Sequence, residues 1–272
     1  MEKLAKFILA IAVLGVLAGP VSSAEDTLTN VKRKGILVAG VKDSLPPFGY
    51  VDEKTRQIVG YDIDFARAIA DKLGVGLELK QVTSASRIPQ LIQRNVDIIA
   101  ATTTKTPQRA QQIDFSYAYF LTWQKFLTKR GTVKSLADLA GKRIGTAKGS
   151  DSEQNAALAL PSATILSFDD YPQAFLALQQ GKVFAVTTDE AILEGICQKA
   201  PNKEEFEIPD VKISDEPYNI GMRKGDKAFV DFVNKTLLEM EKSGQAKEIF
   251  DKWFGPGAPN SLTRNFTIRE DE

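Results

Sequence analysis

Gly60-Tyr-Asp-Ile-Asp-Phe-Ala-Arg-Ala-Ile-Ala-Asp-Lys-Leu-Gly74, then Leu77-Glu-Leu-Lys-Gln-Val82 and Val96-Asp-Ile-Ile-Ala-Ala101, decide the fold. In the first segment Ile63, Ala66, Ile69, Ala70 and Leu73 recur at three-to-four spacing until Gly74 stops the pattern, which predicts a helix with one apolar face. Asp62 and Asp64 read as a cap and a first-turn acid favoured by the helix dipole, rather than as a catalytic carboxylate pair. The next two runs are strands, with a helix from Arg87 to Gln93 between them, and Gly35-Ile-Leu-Val-Ala-Gly-Val41 is a buried strand upstream. Alternating strands and helices imply an α/β fold with a mixed sheet and crossover helices.

The alternation restarts further along. Ser135 to Leu139 reads as a short helix, Arg143-Ile-Gly-Thr146 as a strand, Ser152 to Leu160 as a helix and Thr164-Ile-Leu-Ser167 as a strand. Tyr171 to Gln180 is then a helix and Val183-Phe-Ala-Val-Thr187 a strand, so two α/β units lie in series. Phe115-Ser-Tyr-Ala-Tyr-Phe-Leu-Thr-Trp123 between them is aromatic and extended, as is Tyr218-Asn-Ile-Gly-Met-Arg223 after the second unit. The final helices carry Phe229, Phe232, Val233, Leu237 and Met240, then Ile249, Phe250, Trp253 and Phe254, on faces that need a core to dock on.

The amino terminus says where the protein works. Lys3 and Lys6 precede an apolar run from Phe7 to Ala18, and Val21-Ser-Ser-Ala24 offers small residues for a signal peptidase. A membrane anchor needs about 18 continuous apolar residues, and this run breaks at Gly19-Pro20. Residues 1–24 are therefore expected to be a signal peptide cleaved after Ala24. The single cysteine, Cys197, lies too far downstream for a lipid anchor, so the expected location is free in a Gram-negative periplasm. The 35 basic and 35 acidic residues balance, which gives no reason to expect a nucleic-acid partner. Histidine is absent, which excludes Ser-His-Asp and Cys-His catalysis and the usual zinc sites. Cys197 sits on a helical apolar face and reads as a buried, inert thiol.

Open α/β sheets bind ligands beyond the carboxyl ends of their strands. Thr102-Thr-Thr-Lys-Thr106 with Arg109 stands at one such end, Gly149-Ser-Asp-Ser152 follows another and opens a helix, and Thr187-Thr-Asp189 ends a third. A helix N-terminus and a guanidinium suit a carboxylate, while Asp189 suits an ammonium. The set fits a small zwitterion. Lys148 is not part of a phosphate-binding Gly-x-x-x-x-Gly-Lys-Ser/Thr loop, which the chain lacks.

An ordered series of motifs resembles the bacterial family 3 solute-binding proteins, the periplasmic polar amino-acid receptors of ABC transporters. It comprises Phe48 after Pro46-Pro47, Gly60-Tyr-Asp-Ile-Asp64, Thr104-Lys-Thr-Pro-Gln-Arg109 with Asp114-Phe-Ser116, Gly149-Ser-Asp-Ser-Glu153, Asp189 and Phe250-Asp-Lys-Trp-Phe254. Ser84-Ala-Ser-Arg-Ile-Pro89 and Asn260-Ser-Leu-Thr-Arg-Asn-Phe266 are most similar to the glutamate/aspartate receptors. The resemblance implies a type II periplasmic-binding-protein fold. Lobe 1 would hold residues 25–118 and 219–272, lobe 2 residues 124–214, and residues 119–123 and 214–218 would be the hinge crossings.

By the same resemblance Arg109, Thr102 and Thr104, with the loop at Ser150 and Asp151, would hold an α-carboxylate, and Asp189 the α-ammonium. Arg87, Ser84 and Lys42 would meet the side chain, with Tyr171 and Phe48 also in the site. Three residues depart from the acidic-ligand pattern. Lys42 stands in place of arginine, Tyr171 in place of histidine, and Asp151 where threonine or serine is common. Asp151 is expected to cap its own helix and present only backbone to the ligand. The implied function is capture of an acidic or polar L-amino acid, with glutamate or aspartate favoured, by a monomer that closes its cleft and docks on an ABC permease. No cofactor, metal or catalytic residue is expected. Two alternatives share the scaffold, an enzyme similar to cyclohexadienyl dehydratases and a ligand-binding domain that reports to a chemoreceptor.

Overall fold

The computed structural model describes residues 26–270, so the expected signal peptide lies outside the described residues. In chain order these form α1 (Thr27–Lys34), β1 (Ile36–Val41), β2 (Ser44–Leu45), β3 (Gly49–Val51), β4 (Ile58–Val59), α2 (Tyr61–Leu73), β5 (Gly76–Gln81), α3 (Arg87–Ile92) and β6 (Ile98–Ala100). There follow α4 (Pro107–Ala110), β7 (Ile113–Lys129), β8 (Arg143–Ala147), α5 (Asp151–Ala159), β9 (Thr164–Phe168), α6 (Tyr171–Gln179), β10 (Ala185–Asp189) and α7 (Glu190–Gln198). The chain ends with β11 (Phe206–Glu207), β12 (Ser214–Arg223), α8 (Lys227–Ser243) and α9 (Gln245–Phe254).

One large mixed sheet runs β5-β1-β6-β12-β7-β10-β8-β9, with β11 added on β7. Strand β1 pairs in parallel with β5 and β6, and β8 pairs in parallel with β9 and β10. The two parallel groups are the two α/β units anticipated above. They are joined by the long antiparallel ribbon of β7 and β12, in which Gln124 faces Ser214, Glu216 faces Thr122 and Tyr218 faces Phe120. Its register slips at Tyr218/Asn219 and again at Asn219/Gly221. The extended aromatic segments of the sequence thus pair with each other across the middle of the molecule.

Helix α2 forms as its spacing dictates, burying Ile63, Ala66, Ile69, Ala70 and Leu73 and ending at Gly74 in the left-handed conformation. Its N-cap is Gly60, at φ +148°, where a Cβ would lie 2.1 Å from the Phe48 carbonyl oxygen, so only glycine allows the approach. The expectation of first-turn acids holds for Asp62 and Asp64, and the expectation of an acidic cap is corrected, the cap being Gly60. The cap makes no side-chain bond, and Asp64 accepts from Lys252 Nζ (2.6 Å) and Trp253 Nε1 (2.7 Å) on α9. That pins the carboxyl-terminal helix to α2.

Two other expectations shift. The strand read at Val183 to Thr187 begins at Ala185, because Lys182 and Val183 still bond back to the Ala177 carbonyl to close helix α6. The helix at Ser135 to Leu139 is a single tight turn, Leu136–Leu139, closed by a capping box between Ser135 and Asp138. Helix α1 and the small sheet β2-β3-β4 are elements that the sequence reading does not assign.

Under the ribbon, Phe48, Tyr61, Phe65, Tyr119, Phe120, Tyr218, Phe250 and Phe254 form one aromatic cluster with ring centroids 4.9–6.5 Å apart. Edge-to-face and offset contacts of this kind add about 0.5–1.5 kcal/mol each to ordinary burial. Separate apolar clusters lie in the two units, around Leu91, Ile99 and Ile113 and around Phe126, Ile144 and Ala185.

Candidate functional site

The polar strand ends singled out in the sequence converge where β7 and β12 cross between the two units. Lys42 follows β1, is buried, and donates from Nζ to Ser84 Oγ at 3.0 Å. Burial, and then the Arg87 charge, bring the Lys42 ammonium down to about 7. Arg87 opens α3 and turns inward, and its Nη1 donates to the carbonyls of Ala101 (2.6 Å) and Thr102 (3.1 Å). These bonds hold the turn after β6, where Thr102 takes a left-handed φ of +46°. Arg87 Nε is buried with no hydrogen-bond partner.

Asp62 reaches the same turn from α2. Fully buried, it accepts from Thr102 N (2.9 Å) and Tyr119 Oη (2.7 Å), and burial pushes its carboxyl up to about 7 despite those two bonds. It ties helix, turn and ribbon together. Thr104 Oγ1 donates to Glu216 Oε2 at 2.7 Å, and Glu216 Oε1 accepts from Ser214 (2.5 Å) and Asn155 (3.2 Å). Burial, then Asp189 and Asp151, push the Glu216 carboxyl up to about 9, so it carries its proton at neutral pH.

Arg109, on the short helix α4, makes the principal contact across the cleft. Nη1 donates to the Thr104 carbonyl at 3.0 Å and lies 3.3 Å from Asp151 Oδ2, while Nη2 donates to the Gly149 carbonyl and to Asp151 Oδ1, each at 3.4 Å. The predicted cap role of Asp151 is therefore corrected. Ser150 is the N-cap of α5, accepting from Glu153 N at 3.2 Å, and Asp151, one residue further in, turns its carboxylate out to Arg109. Burial opposes the Asp151 charge, but Arg109, a hydrogen bond from Glu216 and the Arg87 charge hold its carboxyl below the usual range.

Asp189 closes β10. One of its oxygens takes the Tyr218 hydroxyl, and Oδ1 is buried with no hydrogen-bond partner. Burial, then the Asp151 charge, push this carboxyl up to about 7, with Arg87 and Arg109 acting in the opposite sense. Tyr171 starts α6 beside it, with its hydroxyl 3.4 Å from Ser152 Oγ and raised to about 12 by burial and the Asp189 charge.

Ten of the eleven residues expected in the site thus meet at the crossing. Phe48 does not join them; it is fully buried in the aromatic cluster beneath, its ring 5.0 Å from Phe120 and 5.3 Å from Tyr218 and Phe254. Asp62 and Glu216 are the members that sequence reasoning missed. For Glu216 the one available signal is a carboxylate beside Pro217 in the second extended crossing.

The two units touch tightly around this cluster. Ser44 Oγ donates to Asp170 Oδ2 at 2.8 Å, a Cβ on Gly195 would fall 1.7 Å from the Pro46 carbonyl oxygen, and one on Gly149 would fall 2.8 Å from Ala85 Cα. A recess of about 500 Å³ opens beside Arg109 and Asp151, between Ser84, Ile88 and Gln112 on one side and Lys148, Gly149 and Glu153 on the other. Cys197 is half-buried on α7, its thiol pushed up by burial, and takes no part. Among the described residues no group of carboxylates and cysteine could hold a metal ion.

The profile of the bacterial extracellular solute-binding proteins, family 3, matches residues 37–256. The chain belongs to that family. Among the relatives of this solute-binding protein is a glutamine-binding protein of an ABC transporter from Bacillus subtilis, 39% identical over 236 residues, which span 85% of this chain and 85% of the relative. A glutamate/aspartate import solute-binding protein from Escherichia coli is 31% identical over 288 residues, covering 100% of this chain and 95% of the relative. A crystal structure of an ancestral arginine-binding protein bound to glutamine superposes with a TM-score of 0.77 at 40% identity, covering 81% of this chain and 98% of that one. The solute-binding protein accordingly has the mixed α/β architecture of type II periplasmic binding proteins. Among its described residues no helix is long and apolar enough to cross a membrane.

Proposed function

We propose that this solute-binding protein is the periplasmic receptor of an ABC importer, that its ligand is an acidic or polar L-amino acid with glutamate and aspartate favoured, and that it delivers this ligand to a membrane permease as a monomer. The observation that carries the reading is the pairing of opposite charges across one cleft. The Arg109 guanidinium enters from the first unit, and a buried Asp189 oxygen with no hydrogen-bond partner stands at the end of β10 in the second, its carboxyl in the field of the Arg87 and Arg109 charges. An α-carboxylate and an α-ammonium need those two groups, and a zwitterion gains both only when the units are closed.

Lys42 and Arg87 supply positive charge behind the head group, which suits a side-chain carboxylate; Lys42 in its partly neutral state also suits an amide. The lobes would be residues 25–118 with 219–272, and 124–214. The pivot would lie at 119–123 and 214–218, which pair with each other in the ribbon. Several curated relatives are named as binding proteins for glutamine, glutamate/aspartate, cystine or arginine, which supports amino-acid transport as the setting.

A dehydratase on the same scaffold needs a carboxylic acid poised over its substrate. Glu216 carries the proton for that, but Thr104, Ser214 and Asn155 occupy its oxygens and its proton faces Asp151. Mass spectrometry of ligand released by denaturing undialysed protein tests the reading, together with incubation with prephenate or arogenate followed by absorbance. Release of an acidic or amide amino acid and no aromatic product is expected. Formation of an aromatic product would replace the receptor reading with the enzyme.

A further inference from the structure

We propose that Asp151 is a resident competitor for the ligand's α-carboxylate. Its own carboxylate sits on Arg109 across the cleft, holds the units together when no ligand is bound, and must be displaced for a ligand to dock, which makes residue 151 the affinity-setting position of the site. The inference rests on the amino-acid reading above for its second half only; the clamp itself rests on geometry.

The two terminal nitrogens of a guanidinium carry four hydrogens. Here they make three hydrogen bonds, to the carbonyls of Thr104 (3.0 Å) and Gly149 (3.4 Å) and to Asp151 Oδ1 (3.4 Å), and the other Asp151 oxygen, which has no hydrogen-bond partner, lies 3.3 Å from Nη1 as the second half of the ion pair. A second carboxylate can take the forked seat on those nitrogens only by removing the first. The pair is also mostly buried, at the edge of the recess, with 10% of the Arg109 side chain and 12% of the Asp151 side chain exposed. A displaced Asp151 would therefore be left close to the incoming carboxylate in a poorly solvated cleft, where like charges repel strongly.

Its partners come from different units. Arg109 stands on α4 in the first and Asp151 at the start of α5 in the second, so this contact exists only while the cleft is shut. Glu216 acts as the positioning residue. From the ribbon it hydrogen-bonds to Asp151, and its own carboxyl is fixed by Thr104 of the first unit and Asn155 of the second. The surroundings of Asp151 are thus a second carboxyl, a guanidinium and the first-turn backbone of α5, an arrangement that binds a carboxylate whether or not a ligand supplies it.

Asp151→Asn keeps the shape and removes the charge, and Asp151→Ala removes the group. Two readouts on the full mature chain decide the matter. Small-angle scattering without ligand should give a larger radius of gyration for both variants than for the wild type, and saturating glutamate should return it to the compact value. Calorimetry should show glutamate binding about tenfold or more tighter in Asp151→Asn, the scale of one charge-assisted contact no longer lost. Ligand-free variants as compact as the wild type would overturn the clamp. Unchanged or weaker glutamate binding in Asp151→Asn would overturn the competition and make Asp151 a ligand for the ammonium. If the ligand-free variants open while neither they nor the wild type bind any amino acid, the clamp stands and the amino-acid reading falls.

Discussion

In the Asp151→Asn background, whose ligand-free cleft is not clamped shut, Gly195→Ala should weaken ligand binding without lowering the melting temperature. Gly195 lies in the middle of α7 in the second unit, and its Cα faces the Pro46 carbonyl of the first. A methyl group there would sit 1.7 Å from the Pro46 oxygen, 2.7 Å from its carbonyl carbon and 3.2 Å from Pro47 Cδ. Ordinary van der Waals separation would require a retreat of roughly 1.5–2 Å. The neighbours are backbone and a proline ring, which cannot swing aside, so the retreat must come from the units parting. Overpacking costs about 1–3 kcal/mol, which converts to a roughly five- to 150-fold loss of affinity if it falls on the closed state alone. Within the isolated helix the same change is favourable by about 1 kcal/mol, because alanine is the better helix former. The signs are therefore opposite for binding and for folding. Calorimetry and thermal unfolding of the ligand-free protein read them separately. Unchanged affinity on adding Gly195→Ala to Asp151→Asn would mean that this contact is no part of the bound state, and a lowered melting temperature would mean that it belongs to the folding core.

Three more outcomes follow from the charges in the cleft. Asp189 must be ionised to hold an ammonium, and its carboxyl is raised to about 7, so affinity for every amino acid should fall as pH drops below 7. Lys42, lowered to about 7, loses charge in the other direction, so the preference for glutamate over glutamine should fade as pH rises above 7; calorimetry of both ligands across pH 7 checks both signs. Arg87→Ala should cost about 1.5–3 kcal/mol of stability in denaturant unfolding as well as penalising acidic ligands more than amides, because the lost side chain also bonds the Ala101 and Thr102 carbonyls. Tyr119→Phe deprives Asp62 of one of its two donors and should destabilise by about 1–3 kcal/mol while leaving ligand preference unchanged.

Much of the fold is legible in the chain because its signals are local. A glycine-bounded apolar run marks β1, a short apolar run marks β6, three-to-four spacing marks α2, and the aromatic extended segments mark the ribbon. The boundary error at β10 has a local cause too, a helix end that closes over Lys182 and Val183. What stayed hidden was tertiary. Asp62 meets a backbone amide 40 residues away, Glu216 a threonine 112 residues away, and Asp151 a guanidinium 42 residues away. First-turn acids normally serve their own helix; here the turn after β6 claims Asp62 and the approach of the first unit claims Asp151, while Glu216 stands on the ribbon strand β12. Phe48 shows the converse: a residue beside the site in sequence that the aromatic cluster claims for the core.

Calorimetric titration of the mature protein with glutamate, aspartate, glutamine, leucine and lysine tests the receptor reading most directly. The charges of Arg109, Asp189, Lys42 and Arg87 predict a single site per chain that takes glutamate or aspartate most tightly, glutamine next, and neither leucine nor lysine. Heats for leucine or lysine equal to those for the acidic amino acids would contradict the assignment of the cleft.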